Sequence, residues 1–416
     1  MRRILAPLVL TGIASAALAQ SFTPGNLFVA DASGLVLEFA PDRSLVRTFT
    51  SAPDFGSSPA RGIAFRPDGL LEVAAASTNK LVTFDSTGAK VVETAGGGLG
   101  SPQGLAIGPN GERWIASATT NEVIVFDAAG AVRRSVSGGG LAGPRAVAFG
   151  PNGHLFVSDE TDDVVYEFDP GGGTVDAHDP GAGTAPYGLA FGPDGTIYTT
   201  IASPPAVRIL DATGIPQTIT DPDLTSPRGL AFGFDDRIYV ANESPPRVLR
   251  IKVTPGGNTV VQTITDPAMT GPLFLAFGPA RFAAKASGKR YTGGGILKFA
   301  DAYDAATTTG PVLSVTPEGA MLWLGDDPAD TNDLASLLGV GAVGWRGSSV
   351  NGAGRLTLAG GQTSVYGDLL GSAVLSGKVS FDGTTGLLLA PSTAGTFVFQ
   401  AGDSLLVGKI KGKRLP

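Results

Sequence analysis

One phrase recurs along this chain and leaves little freedom in what it can fold into. It reads Ser226-Pro227-Arg228-Gly229-Leu230-Ala231-Phe232-Gly233, then a short turn, then Ile238-Tyr239-Val240-Ala241-Asn242. Its proline stands at Pro59, Pro102, Pro144, Pro186, Pro227 and Pro272, at spacings of 43, 42, 42, 41 and 45 residues. A fixed period in this range marks a solenoid or a propeller, in which each unit buries its apolar faces only against its neighbours.

Each unit carries four short apolar runs separated by turn residues. The first run is Gly62 to Phe65, Gly104 to Ile107, Ala146 to Phe149, Gly188 to Phe191, Gly229 to Phe232 and Phe274 to Phe277. Its third residue is alanine in every copy (Ala64, Ala106, Ala148, Ala190, Ala231, Ala276), as crowding near a central axis would demand. Its fourth is phenylalanine except at Ile107, a wedge for the space between units. Turns such as Gly150-Pro151-Asn152-Gly153 follow, with proline setting φ and glycine tolerating the left-handed region. The second run is Leu155 to Val157, Ile197 to Thr199 or Ile238 to Val240, the third ends in Phe84-Asp85, Phe126-Asp127 or Phe168-Asp169, and a more polar fourth closes the unit. Apolar runs that are continuous instead of alternating predict sheets covered on both faces, as in blades stacked around an axis.

The ends of the array set the blade count. Leu27 to Asp31, Leu35 to Phe39 and Leu45 to Phe49 read as strands two to four without a strand one, and Phe274 to Phe277 reads as a strand one with nothing after it. Joined, they predict a sixth blade that closes the ring and removes free sheet edges. The fold class is therefore all-β: a six-bladed β-propeller over residues 20–279, closed by the N-terminal segment. The units Pro-x-Gly-Leu-Ala-Phe-Gly-Pro-Asp/Asn-Gly-x-Leu/Ile-Tyr/Phe-Val resemble NHL repeats, and with them the six-bladed propellers of the gluconolactonase-like and streptogramin-lyase-like group. The resemblance implies a fold that hosts binders and enzymes alike.

Residues 1–19 have the layout of a secretory signal peptide: Arg2 and Arg3, an apolar run from Ile4 to Leu18, and Ala17-Leu18-Ala19 before Gln20. The expectation is an exported protein, periplasmic or extracellular, with no transmembrane segment. There are no cysteines, so disulfides, thiolate metal sites and cysteine nucleophiles are excluded. A net charge of -7 argues against nucleic acid as a partner. From residue 281 the period stops. Residues 280–295 read as a linker and 296–416 as a second, β-rich domain, a small sandwich or barrel, with one short helix expected over 333–338.

In propellers of this resemblance, the loops that lead into strand one and out of strand two lie on one face around the axis, and that face carries the ligand. The residues just before strand one are Arg61, Gln103, Arg145, Tyr187, Arg228 and Leu273, so arginine recurs in alternate blades. Three guanidiniums around a funnel mouth suit an anionic group on a protein, peptide or glycan; otherwise each arginine stacks on the neighbouring blade. After strand two come Asp31, Asp159 and Asn242, an oxygen set suited to a divalent cation such as calcium if it faces inward, or to capping its own loop if it does not.

The two histidines bear on chemistry, because the resemblance implies an upper-face histidine in lyases. His154 directly follows a turn on the opposite face and His178 falls at the outer rim, so the two are expected neither to meet nor to be catalytic. The acidic stretch Gly325 to Asp333 reads as a solvated loop, since its spacing does not match a calcium loop. The sequence therefore favours a non-catalytic binding scaffold, with no cofactor expected. The alternative is a metal-dependent lactonase or related hydrolase that uses Asp31, Asp159 and Asn242, with no matching motif around them.

Overall fold

The computed structural model describes residues 22–49, 55 and 58–279, apart from isolated positions in turns and the segment 211–216, and the strands from Ala280 to Arg414 by backbone pairing alone. Six four-stranded antiparallel sheets form the propeller. Blade 1 is β4 (Ala60–Phe65), β5 (Leu71–Ala75), β6 (Lys80–Phe84) and β7 (Lys90–Ala95). Blade 2 runs from β8 (Pro102–Ile107) through β9 (Arg113–Ser117) and β10 (Glu122–Phe126) to β11 (Val132–Val136). Blade 3 is β12 (Pro144–Phe149), β13 (Leu155–Asp159), β14 (Val164–Phe168) and β15 (Thr174–His178). Blades 4 and 5 repeat the pattern from β16 (Pro186–Phe191) to β19 (Gln217–Ile219) and from β20 (Pro227–Phe232) to β23 (Gly257–Ile264).

Blade 6 closes the ring as the repeat pattern requires. Strand β24 (Pro272–Phe277) pairs with β1 (Leu27–Asp31), Leu27 opposite Phe277 and Phe28 opposite Ala276, with β2 (Val36–Phe39) and β3 (Leu45–Phe49) outside it. The backbone bonds Gly25 N–H to Gly278 O (2.9 Å) and Ala32 N–H to Gly271 O (2.8 Å) extend the join at both ends. The ring is thus sealed by hydrogen bonds between residues some 240 positions apart.

Burial is most complete in the second strands and is lost at the rim. The second strands β1, β5 and β13 are buried along their whole length, whereas β7 and β15 on the rim are exposed at almost every residue. The boundaries between blades repeat one contact. The strand-one phenylalanine of each blade meets edge-on the strand-two aromatic of the blade before it: Phe65 on Phe28, Phe149 on Trp114, Phe191 on Phe156, Phe232 on Tyr198 and Phe277 on Tyr239, with ring centroids 4.9–5.4 Å apart and planes 73–89° apart. Edge-to-face pairs of this kind add about 0.5–1.5 kcal/mol each beyond the area they bury.

The sixth boundary breaks the rule. Between blades 1 and 2 the phenylalanine is Ile107, the aromatic is Glu72, and Arg113 stands where the other blades have Leu or Ile. Arg113 Nη1 lies 2.7 Å from Glu72 Oε1, and both side chains are almost fully buried. Burial pushes the Glu72 carboxyl up, against the pull of the Arg113 guanidinium. An ion pair here fills the volume that two rings fill elsewhere.

Close approach at the axis is steepest at the first position of the strand-one run and not at its third. A Cβ on Gly62 would sit 2.3 Å from the Gln103 carbonyl oxygen, and one on Gly188 would sit 2.4 Å from that of Arg228. The alanines two residues on stand opposite the large second-strand side chains, such as Trp114 and Phe156, and leave room for them.

Residues 280–295, expected as a linker, differ from that reading: β25 (Ala280–Thr292) is a strand paired with β26 (Gly295–Ala302), β27 (Val312–Thr316) and β37 (Ser404–Arg414) in a nine-stranded sheet. Its residues from Lys285 to Tyr291 find backbone partners on two sides, which outweighs the loop-like Ala, Gly and Lys composition. The helix expected over 333–338, the acidic stretch beyond Gly325 and residues 1–19 lie outside the described residues.

Arg113→Leu alone is expected to lower stability by about 3–5 kcal/mol, because it strands a buried carboxylate. Glu72→Phe together with Arg113→Leu restores the apolar boundary used elsewhere and is expected to recover most of that loss; urea midpoints of both variants check this.

Candidate functional site: the mouth of the propeller channel

Four of the six residues before strand one, Arg61, Arg145, Tyr187 and Arg228, come together, with Tyr187 at their centre. Blade 4 supplies Tyr187, 3 % exposed. Arg145 from blade 3 and Arg228 from blade 5 place their guanidiniums 5.6 and 4.9 Å from its ring centroid. Arg61, from blade 1 across the axis, donates through Nη1 to its hydroxyl. Phe274 of blade 6 lies 5.7 Å from the same ring. Alternate blades thus send arginines to one aromatic core, which combines the stacking role weighed for them in the sequence with a position at the mouth.

The three arginines are not equivalent. Arg145 pairs with Glu160, and Arg228 Nε donates to Glu243 Oε2 at 2.7 Å, in each case to the residue that leaves strand two of the same blade. Arg61 instead donates to the Tyr187 hydroxyl, and its buried Nε has no hydrogen-bond partner. On the neighbouring inner strand Gln103, 1 % exposed, donates through Nε2 to Ser101 while its Oε1 is also without a partner. A donor and an acceptor therefore remain unsatisfied on adjacent blades, each costing on the order of 1–3 kcal/mol while buried and unmet.

Two hydroxyls hold this face in shape. Ser158 Oγ accepts from Ala146 N–H and donates to the Tyr187 carbonyl at 2.7 Å, which links blades 3 and 4. Thr200 Oγ1 accepts from Gly188 N–H and donates to the Arg228 carbonyl, which links blades 4 and 5. The sequence reading passed over both. Their signal was present: Ser158 and Thr200 occupy the strand-two position that is alanine in the other four blades.

The oxygen set Asp31, Asp159 and Asn242 is turned toward N–H donors. Asp31 Oδ2 accepts from the backbone of Thr270 and Gly271 and its Oδ1 from Ser33 and the Thr270 hydroxyl. Asp159 Oδ2 accepts from Ala142 and Gly143 and Oδ1 from Thr161 and Asp162. Asn242 Oδ1 accepts from Thr225 and Ser226, and its Nδ2 donates to the Pro245 carbonyl. Each side chain ties the loop before strand one to the end of strand two in its own blade, the capping role. Burial would raise the Asp31 carboxyl, but hydrogen bonds from Thr270, Ser33 and Gly271 outweigh it and hold the group below the usual range.

The histidines correct the expectation that they stay apart. His154 Nδ1 lies 2.6 Å from Glu167 Oε1, and His178 Nε2 lies 3.0 Å from Glu167 Oε2. Three adjacent strands bring them together because His154 and His178 each sit diagonally from Glu167 on one face of the pleat. This cluster lies at the turn end of blade 3, away from the channel mouth.

No protein-family model and no curated protein matches the chain. Solved structures do. A chain from the nidogen/laminin complex is 17% identical, with 61% of this chain and 98% of that one covered and a TM-score of 0.52. A protein of unknown function from Bacteroides caccae is 14% identical at the same coverages, TM-score 0.50. Virginiamycin B lyase from Staphylococcus aureus is 17% identical over 85% of this chain and 94% of its own, TM-score 0.44.

Because a lowered carboxyl stabilises the fold above its unfolded-state pKa, Asp31→Ala is expected to cost on the order of 3 kcal/mol at neutral pH. The gap to the parent protein should shrink as pH falls through and below about 4, where the native carboxylate itself takes up a proton; melting temperatures across pH 2–7 test it. The fold of this chain is the six-bladed β-propeller that the repeats announce.

Proposed function

We propose that this chain is an exported, non-catalytic propeller scaffold that binds a protein, peptide or glycan at the channel mouth. The observation that carries the reading is the unpaired couple on adjacent inner strands, Arg61 Nε and Gln103 Oε1, buried and without partners. A ligand that accepts from one and donates to the other recovers what each loses by burial. Around that couple the mouth is preorganised: Tyr187 is clamped by Arg145 and Arg228, and their acids Glu160 and Glu243 remain about one-third exposed on the rim. Rigid contact groups of this sort lower the ordering cost of binding. Export rests on residues 1–19, and among the described residues no helix is long and apolar enough to cross a membrane. One structure with the same fold comes from a protein–protein complex, so a protein ligand is within the compass of such propellers.

The test is to probe a peptide library and a glycan array with the parent protein and with Arg61→Ala/Gln103→Ala. Ligands found with the parent protein are expected to lose at least tenfold in affinity in the double variant, the equivalent of roughly 1.4 kcal/mol. Unchanged affinity across the ligands found would remove the channel mouth as the binding face.

A further inference from the structure

We propose that Glu167, Asp176 and His178 form a zinc-type metal site at the turn end of blade 3, with His154 as the residue that orients Glu167. The inference is independent of the channel mouth.

The register of the blade places two acids directly opposite each other. Glu167 on β14 faces Asp176 on β15, and His178, two residues further along β15, lies on the same face of the pleat. Like charges directly opposite are destabilising in a sheet. Blade 6 shows how the same register is built when it is self-sufficient. There Glu38 faces Arg47, with 2.7 Å between Oε2 and Nε, and Asn26 donates to the other oxygen at 2.6 Å. Blade 3 replaces the arginine with a carboxylate, replaces the asparagine with His154, and adds His178. The exchange removes a built-in cation and supplies nitrogen and oxygen ligands in its place.

One ligating atom each from Glu167, Asp176 and His178 lies within 4.8 Å of the others. Zinc holds nitrogen and oxygen ligands at about 2.0–2.2 Å, so its ligands stand roughly 3–3.5 Å apart. The separation already seen between His178 Nε2 and Glu167 Oε2, 3.0 Å, is of that size. The remaining closure falls to Asp176, the exposed member of the three. Imidazole beside carboxylate suits zinc and its neighbours, whereas calcium and magnesium take oxygen.

The surroundings hold the ligands in place. Glu167 is buried, and the His178 ring stacks on Phe156 at 5.6 Å and 28°. Phe156 is itself fixed by the edge-on contact with Phe191 of blade 4. His154, on the second oxygen of Glu167, leaves Oε2 directed to the metal, the kind of outer-shell hydrogen bond that ligating carboxylates usually have. A metal bound there would tie the exposed outer strand β15 to the buried β14.

Isothermal titration of untagged full-length protein with zinc chloride, backed by the visible absorption of the cobalt(II) form, tests the site. One zinc per chain is expected, with a hundredfold or greater loss of affinity in Asp176→Ala and His178→Ala. Asp176 is exposed, so the first of these keeps the fold, which circular dichroism verifies. His154→Gln is expected to weaken binding about 10–100-fold and to shift the cobalt spectrum while the stoichiometry stays at one. Absence of zinc binding to the parent protein, or equal binding in Asp176→Ala and His178→Ala, would overturn the proposal. A His154→Gln protein with unaltered affinity and cobalt spectrum would remove its orienting role.

Discussion

Five of the six blade boundaries rest on the same event, a phenylalanine ring packed at a steep angle against an aromatic ring in the preceding blade. A four-stranded sheet with two apolar faces cannot stand in water alone, so each blade exists only because its neighbours cover it. Summed around the ring, these ring pairs contribute on the order of 5 kcal/mol beyond area burial. That is comparable to the whole net stability of many domains. Ring closure completes the set: the contact of Phe65 with Phe28 joins blade 1 to the strand donated by the N-terminus, and Phe22 packs on both rings from the segment before it.

The same geometry builds the channel mouth. Glycine at the start of four of the six strand-one runs (Gly62, Gly104, Gly188 and Gly229) lets neighbouring inner strands approach until a Cβ would collide with the backbone of the next strand. The residue just before the run occupies the same place in all six blades. Not all six of these residues are charged. The ring instead alternates arginine with Gln103, Tyr187 and Leu273, and the arginines find Tyr187, Glu160 and Glu243. The carboxylates and amide that leave strand two, Asp31, Asp159 and Asn242, do the quieter work of tying each approach loop down through backbone N–H groups.

Departures from the repeat are where individual blades acquire chemistry. Glu72 with Arg113 replaces a ring pair by a buried ion pair, Ser158 and Thr200 replace alanine by hydroxyls that cross to the next blade, and Asp176 replaces the arginine that faces Glu38 in blade 6. Each change is one to three residues against a repeated background. The background supplies position, and the substitution supplies the donor, acceptor or charge.

Periodicity alone determined the blade count, the four-strand unit and the closing role of the first strands. Those features follow from which side chains must be buried, and burial is written in the spacing of apolar residues. Partner choice was decided only in three dimensions. Arg61 reaching Tyr187 across the axis joins residues 126 positions apart, and Asp31 holding Thr270 joins residues 239 apart, distances over which spacing carries no signal. His154, Glu167 and His178 lie within 25 residues of one another in the chain, yet their meeting depended on which face of the pleat each strand presents. The segment after Phe277, which by composition resembles a linker, became a strand for the same reason: its partners are the residues of β37 at the far end of the chain. Local composition sets what a segment can do, and the hydrogen-bonding neighbours supplied by the rest of the fold decide what it does.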